Sequence, residues 1–268
     1  MRKFTNEDIK RVGLEILLEV HKYCVENNLK YSLGYGTLLG AIRHKGYIPW
    51  DDDIDLIMPR KDYEYFVSHF NNDNYGVYAP NNNPKYAIPF AKVFDKRTLE
   101  IDNMNDDDTH IGYNIDIFPL DEFESLKAYQ KSKKKEARLL KKYIYCIVKV
   151  NKGVDHPLRY LLFKFMYLFY GKKGNKYSNL INTWFIDHNK KDAKNTVLVG
   201  NEVYLIQYDY AFPINIFDEL IEVDFEGHKL LAIKDYDAVL TACYGDYMTP
   251  PPEKERESTH GFEAYFLN

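Results

Sequence analysis

Four carboxylates fall within five positions at Asp51-Asp52-Asp53-Ile54-Asp55. Residues two apart on a strand share a face. A strand over Ile54–Met58 therefore projects Asp53 and Asp55 together and sends Ile54 and Leu56 to the core, while Asp52 points elsewhere and Asp51 precedes the strand. Two carboxylates on one face repel unless a cation sits between them, and hard oxygen donors of this kind suit Mg²⁺ or Mn²⁺. Such ions arrive with nucleotide phosphates and stabilise charge as a phosphoryl group moves. The bland alternative is a solvated acidic turn. An EF-hand is a poor alternative, because the run lacks the following Gly and the acidic residue at its twelfth position.

The neighbouring residues sharpen this. Upstream, Gly34-Tyr35-Gly36-Thr37 joins a strand to a helix whose first backbone N–H groups can cradle phosphate; the Thr37 side chain either caps that helix or binds phosphate. Downstream, Asp116 lies among apolar neighbours in Asn114-Ile115-Asp116-Ile117-Phe118-Pro119. An Asp inside an apolar strand needs a partner. That partner is a Lys or Arg, or else Asp116 is a third carboxylate at the same site, binding metal or taking a proton from an acceptor hydroxyl. Arg43 and Lys45 follow the short helix and either neutralise a diphosphate or carry solvated loop charge. Lys92, between Phe90-Ala91 and Val93-Phe94, either snorkels or points at phosphate, and Arg97 is a weaker candidate of the same kind. Asp106-Asp107-Asp108 shows no apolar alternation and reads as a solvated loop.

The elements that must position these residues are readable from periodicity. Thr5 and Asp8 form a capping box for a helix over Asn6–Glu26, where Ile9, Val12, Ile16, Leu17, Val20 and Tyr23 recur at helical spacing. Strands are expected at Tyr31–Leu33, Ile54–Met58, Ile88–Phe94, Thr98–Ile101, Tyr113–Phe118 and near Thr196–Val199. Ile221–Phe225 and Lys229–Ile233 flank Glu226-Gly227-His228 as a hairpin. Helices are expected at Leu38–Arg43, Lys61–Phe70, Ser125–Val150, Pro157–Tyr170, Lys176–His188 and Tyr236–Tyr244, with an irregular tail after Pro250-Pro251-Pro252. Arg256 and His260 in that tail either close over the site or are mobile. The order gives an α+β (α/β) class with a small mixed sheet and a helical insertion. The division is 1–124 for the catalytic core, 125–190 for a basic helical insertion and 191–268 for a segment completing the core.

Composition bounds the setting. Hydrophobic residues are 45% of the 268, enough for a real core. Residues 127–176 hold 15 Lys/Arg against two acids, a balance of +13, so the rest of the chain carries −17 to give the net −4. Charge segregated this way points to a polyanion or anionic lipid. No docking motif for nucleic acid accompanies it. The segment 157–170 is apolar almost all round but too short and too charged to span; it is a core helix or an interfacial one. Cys24, Cys146 and Cys243 are far apart, with neither zinc nor disulfide spacing. Isolated thiols and the lack of an apolar N-terminal stretch place the chain in the cytoplasm, with peripheral contact at an anionic membrane in view. Among 24 Tyr and 16 Phe, Tyr35, Tyr47 and Trp50 stand near the acidic run and are candidates for holding an organic cation.

The Gly-rich turn, Asp-x-Asp on the next strand and a third Asp on a later one resemble the nucleotidyltransferase fold. The fuller run Tyr31-Ser-Leu-Gly-Tyr-Gly-Thr-Leu-Leu-Gly-Ala-Ile-Arg-His-Lys-Gly-Tyr-Ile-Pro-Trp-Asp-Asp-Asp-Ile-Asp-Leu56, Asp116 in Ile-Asp-Ile-Phe-Pro-Leu, and the tail Tyr244-Gly-Asp-Tyr-Met-Thr-Pro-Pro-Pro resemble the LicD family of phosphotransferases, to which fukutin-related proteins are distantly similar. The least matched part is the basic helical block. The resemblance implies a nucleotidyltransferase-like core and transfer of phosphocholine from CDP-choline to a sugar hydroxyl of a lipid-linked glycan precursor, such as that of teichoic acid, with release of CMP. It implies metal ligation (Mg²⁺ or Mn²⁺) by Asp53, Asp55 and Asp116, with Asp116 as ligand or base. It further implies phosphate contacts from Gly36, Thr37 and, because the family carries a basic residue in that strand, Lys92. The alternatives are transfer of ribitol or glycerol phosphate from a CDP donor, or a non-catalytic precursor-binding protein.

Overall fold

The computed structural model describes residues 1–102, 111–147, 157–171, 173–188, 196–200, 210–256 and 261–267. In chain order the elements are β1 (Arg2–Lys3), α1 (Asn6–Glu26), β2 (Ser32–Leu33), α2 (Tyr35–His44), β3 (Asp55–Pro59), α3 (Arg60–His69), β4 (Tyr75–Tyr78), β5 (Ala91–Asp95), β6 (Thr98–Asp102) and β7 (Asn114–Phe123). There follow α4 (Leu126–Lys135), α5 (Ala137–Ile147), α6 (Pro157–Tyr170), α7 (Gly174–His188), β8 (Val197–Gly200), β9 (Phe212–Pro213), β10 (Leu220–Phe225), β11 (His228–Ile233), α8 (Tyr236–Tyr244) and β12 (Phe262–Phe266). The class is α+β, as the element order implied.

A mixed sheet of seven strands runs β2-β3-β7-β5-β4, with β8 pairing to β7 and β9 to β8. Only β3 and β7 are parallel; every other pair in it is antiparallel. The ten-residue β7 is its axis. Its first half lies between β3 and β5, and its second half pairs with β8. Helix α1 packs on β5 and β7 through the buried stripe Val12, Ile16, Leu17, Val20 and Cys24. Its capping box forms as expected: Asp8 N donates to Thr5 Oγ1 at 3.1 Å and Thr5 N donates to Asp8 Oδ2 at 3.0 Å.

The helices after β7 have a core of their own, built from Tyr129, Tyr143, Cys146, Tyr177, Ile181, Trp184 and Phe185, which Phe123 at the end of β7 joins. A buried ion pair fastens α3 and α7 to the same strand. Arg60 Nε donates to Asp121 Oδ1 at 2.7 Å, and Arg60 Nη1 donates to Asn182 Oδ1 at 2.9 Å.

Several expectations shift. The single helix over Ser125–Val150 is two, broken at Glu136, where the Lys133-Lys134-Lys135 run falls in the last turn of α4 and favours a C-terminus there. Helix α2 starts at Tyr35 rather than Leu38, since Gly34 serves as its N-cap. β4 is an additional strand where none was expected, and β7 runs on to Phe123. The tail ends in β12, paired to β6 on one side and β1 on the other; Phe266 stacks on Phe4 at 4.3 Å. The hairpin stands as read, with Glu226 and Gly227 both at positive φ (49° and 79°), the geometry of a tight two-residue turn. Asp106-Asp107-Asp108, His260 and residues 148–150 of the expected long helix lie outside the described residues.

Candidate active site

Strand β3 begins at Asp55, one residue later than expected, so Asp53 lies in the loop that leads into it. Ile54 and Leu56 are buried, while Asp53 and Asp55 are partly open. In the sheet register Asp55 lies opposite Asp116, and Asp116 lies opposite Lys92. Neighbouring strands are roughly 4.8 Å apart, so the three side chains form a row across β3, β7 and β5 on one face.

Lys92 Nζ donates to Asp116 Oδ1 and to Asn114 Oδ1, each at 2.7 Å. Both readings of Asp116 therefore meet in one place: it has the lysine partner that an apolar strand demands, and it stands beside Asp55. Burial first, then the charges of Asp53, Asp116 and Asp51, push the Asp55 carboxyl well above the usual carboxylate range, against the pull of Lys92. This is the electrostatic signature of an acidic cluster short of positive charge. Asp53, Asp55 and Asp116 are the carboxylates expected from the sequence to hold a metal. Among the described residues no three acidic, imidazole or thiol groups are placed to hold a metal ion by themselves. Mg²⁺ is commonly held by one or two carboxylates together with phosphate oxygens rather than by a full protein cage, so the donor set fits an ion that is shared with a substrate.

The first turn of α2 abuts this row. Gly34 N donates to Asp55 O at 2.8 Å, and the buried Thr37 Oγ1 accepts from Asp55 N at 2.8 Å. Thr37 thus fixes where β3 begins. A Cβ at Gly36 would lie 2.9 Å from Asp51 Oδ2, so that carboxylate sits against the turn where phosphate was expected. A helix N-terminus attracts an anion, and Asp51 supplies one. Helix and acidic loop are held close by a second contact: a Cβ at Gly40 would lie 2.5 Å from Gly46 O. Tyr113 Oη donates to Asp52 O at 2.9 Å and anchors the loop from behind.

Arg43 and Lys45 are not brought to the row. Arg43 lies roughly 10 Å along the helix from Gly36, donating to Tyr247 O at 2.6 Å. Burial and then the charge of Arg256 depress its pKa. The Arg256 guanidinium stands 5.2 Å over the Trp50 ring, so the tail folds back on the loop preceding Asp51. Lys45 ends α2 in a left-handed conformation at φ 62° and acts electrostatically on Asp224 of β10. Arg97 pairs with the buried Asp95, away from the row.

Of the aromatic candidates, Tyr47 is buried, donates to Lys10 O at 2.9 Å and packs on Phe225, while Trp50 faces Arg256. Tyr35 is different. It holds φ at 41°, which a non-glycine residue rarely adopts, and its buried hydroxyl has no hydrogen-bond partner among the described residues. Its ring meets Phe118, two residues beyond Asp116 and on the same face, at 5.4 Å. Together with Tyr129, Tyr210, Phe212, Val199, Gly200 and Cys243 it lines a recess of about 20 Å³, room for one water. Of the residues gathered at the row, Asn114 is not among those the sequence singles out, and Asp51 is there only as a residue preceding the expected strand. Asn114 was reachable by counting two back from Asp116, whereas Asp51 required knowing how the loop folds onto Gly36.

An acidic row across a mixed sheet, set against the first turn of a short helix, defines the class: an α+β protein built to manage concentrated negative charge. The chain belongs to the LicD family. Residues 28–163 match the family profile described as "LicD/FKTN/FKRP, nucleotidyltransferase domain". Over its full length it is 32% identical to the whole of the lipopolysaccharide cholinephosphotransferase LicD of Haemophilus influenzae. An uncharacterized protein of Rickettsia typhi is 31% identical over 48% of this chain and 43% of its own. One from Rickettsia prowazekii is 44% identical over 23% of this chain and 24% of its own.

Proposed function

We propose that this protein transfers phosphocholine from CDP-choline to a hydroxyl of a cell-surface glycan precursor. The full-length similarity to a lipopolysaccharide cholinephosphotransferase, falling on a chain that aligns Asp55, Asp116 and Lys92 in one row, carries the reading. The acceptor oxygen bonds to the phosphorus that bears choline. The bond from that phosphorus to the bridging oxygen breaks, and CMP departs with the electron pair. The acceptor's proton passes to a carboxylate of the row. Mg²⁺ or Mn²⁺ would be held by Asp53 and Asp55, with Asp116 as third ligand or as base, and would supply positive charge to the phosphoryl oxygens.

The chain's own residues divide the remaining work. Thr37 and Gly34 fix the start of β3 and so the aim of Asp55. Lys92 holds Asp116 in place and offsets the mutual repulsion of the carboxylates. Asp116 is either the third ligand or the base. An Asp116→Asn variant that still binds Mn²⁺ by electron paramagnetic resonance but loses turnover assigns it as base; loss of Mn²⁺ binding assigns it as ligand.

Choline is a quaternary ammonium with no N–H to donate, and such a group is bound by aromatic faces. The recess of Tyr35, Tyr129, Tyr210 and Phe212 near the row supports choline over a polyol, which would call for Asn, Asp or Arg side chains. At one water's volume it must widen as the trimethylammonium group enters. The separated thiols, two of them buried, fit a reducing compartment, and we place the reaction in the cytoplasm.

The test is CMP release from CDP-choline, CDP-ribitol and CDP-glycerol, with Mg²⁺ and lipid-linked precursors of lipopolysaccharide or teichoic acid as acceptors. CDP-choline should be the preferred donor, and Asp55→Asn should lower kcat by about 10²–10³-fold, the scale of losing a central electrostatic group. Preference for a polyol donor replaces the head group in this reading. Full activity in Asp55→Asn ends it.

A further inference from the structure

Helix α6 keeps an apolar stripe in water. Leu161, Leu162, Phe165, Leu168 and Phe169 are 51–79% exposed. Their spacing of one, four, seven and eight residues from the first places them along one side of the helix. No other element of the described residues exposes more than two large apolar side chains. The half-buried Met166 and Tyr167 interrupt the stripe where α6 packs on α5. No helix of the described residues is long and apolar enough to cross a membrane.

The neighbouring helices carry the complementary feature. Lys131, Lys134, Lys135, Arg138, Lys141 and Lys142 on α4 and α5 are all exposed. Between these helices runs an open groove of about 600 Å³ with Ala137, Leu140 and Ile144 as its apolar lining and Lys133, Lys134 and Lys141 among its polar lining. A surface that pairs apolar side chains with a dense cationic band matches the edge of an anionic bilayer, where acyl chains lie beneath phosphate. A second copy of the chain fits poorly, because a twofold interface sets the same patch against itself and would oppose two bands of like charge. Nucleic acid would leave the apolar stripe in water.

We propose that the helical block is a membrane-docking surface, on which the α6 stripe enters the acyl region of an anionic bilayer and the lysines of α4 and α5 meet lipid phosphates. This does not depend on the reaction proposed above.

Flotation of the full chain with vesicles of phosphatidylcholine alone, and with added phosphatidylglycerol, tests it. The chain should float with the anionic vesicles at low salt, release as salt is raised, and ignore the neutral ones. Two variants, Leu161→Ser/Phe165→Ser/Leu168→Ser and Lys134→Glu/Arg138→Glu/Lys141→Glu, should each bind at least tenfold more weakly with unchanged melting temperature. Three results overturn the proposal: no flotation with anionic vesicles, binding indifferent to both variants, or a dimer by light scattering that the serine variant dissolves, which would assign the stripe to self-association.

Discussion

Asp55 is the residue on which most of the site's electrostatics converge. Its carboxyl is held above the usual range by burial and by three neighbouring carboxylates. The ion-free folded protein therefore binds a proton there more tightly than the unfolded chain does. Stability is then greatest below the unfolded value of 3.8 and declines as pH rises through the folded value. Asp55→Asn removes that burden. With chelator present the variant should melt above the wild type at pH 8, the gap should close as pH falls toward 3.8, and Mg²⁺ should narrow it at pH 8. A wild type that melts higher than the variant at pH 8 in chelator refutes the assignment. Gly36→Ala probes the same cluster from the helix side. The new Cβ displaces the Asp51 carboxylate, a movable group, so melting should change little while kcat/KM falls at least tenfold, the rate cost of misplacing a charged group; a lowered melting point with an unchanged rate would make Asp51 a bystander. Strand alternation points to Asp53 and Asp55 in the sequence, although β3 itself begins only at Asp55. It could not show Lys92 beside Asp116, because that contact depends on which strands pair.

At the scale of elements, β7 does two jobs. Asp116 in its first half faces the row, and Asp121 in its second half is fully buried and takes the guanidinium of Arg60. Asp121→Ala would strand that cation away from water, a loss of about 3–5 kcal/mol for a broken buried pair. Thermal or urea unfolding should show it, and adding Arg60→Met should recover much of the loss; a melting point within a degree of wild type would mean that water reaches Arg60. Local pattern made the helices, the hairpin turn and most strands legible. It failed where the decisive partner was distant. The tail strand β12 exists because β1 and β6 accept it, and β7 extends to Phe123 because β8, more than seventy residues on in sequence, continues its pairing.

Over the whole molecule, charge is divided as composition foretold. An acidic row lies on the sheet and a cationic band on α4 and α5, with an apolar helix exposed beside that band. The similarity to a full-length cholinephosphotransferase extends across both parts, so a single chain unites the sheet that carries the acidic row with the surface proposed to reach lipid. The charge imbalance of residues 127–176 was plain in the sequence. That α6 would keep its apolar stripe in water was not, since an apolar helix reads equally well as core.

The sharing of β7 bears on modularity. Helices α4 to α7 have their own buried cluster and so look like a part that could be removed, but Phe123 at the end of β7 belongs to that cluster. A chain cut after residue 124 would keep Asp53, Asp55 and Asp116 yet lose β8, expose Phe123 and leave half of β7 as an unpaired edge, which invites aggregation. Expressed alone, residues 1–124 should be insoluble or self-associated by light scattering, and a well-folded monomer would show the two parts to be separable. The helical block is in this respect no detachable accessory: β7 itself leads into it, ending at Phe123 with only two residues before α4 begins at Leu126.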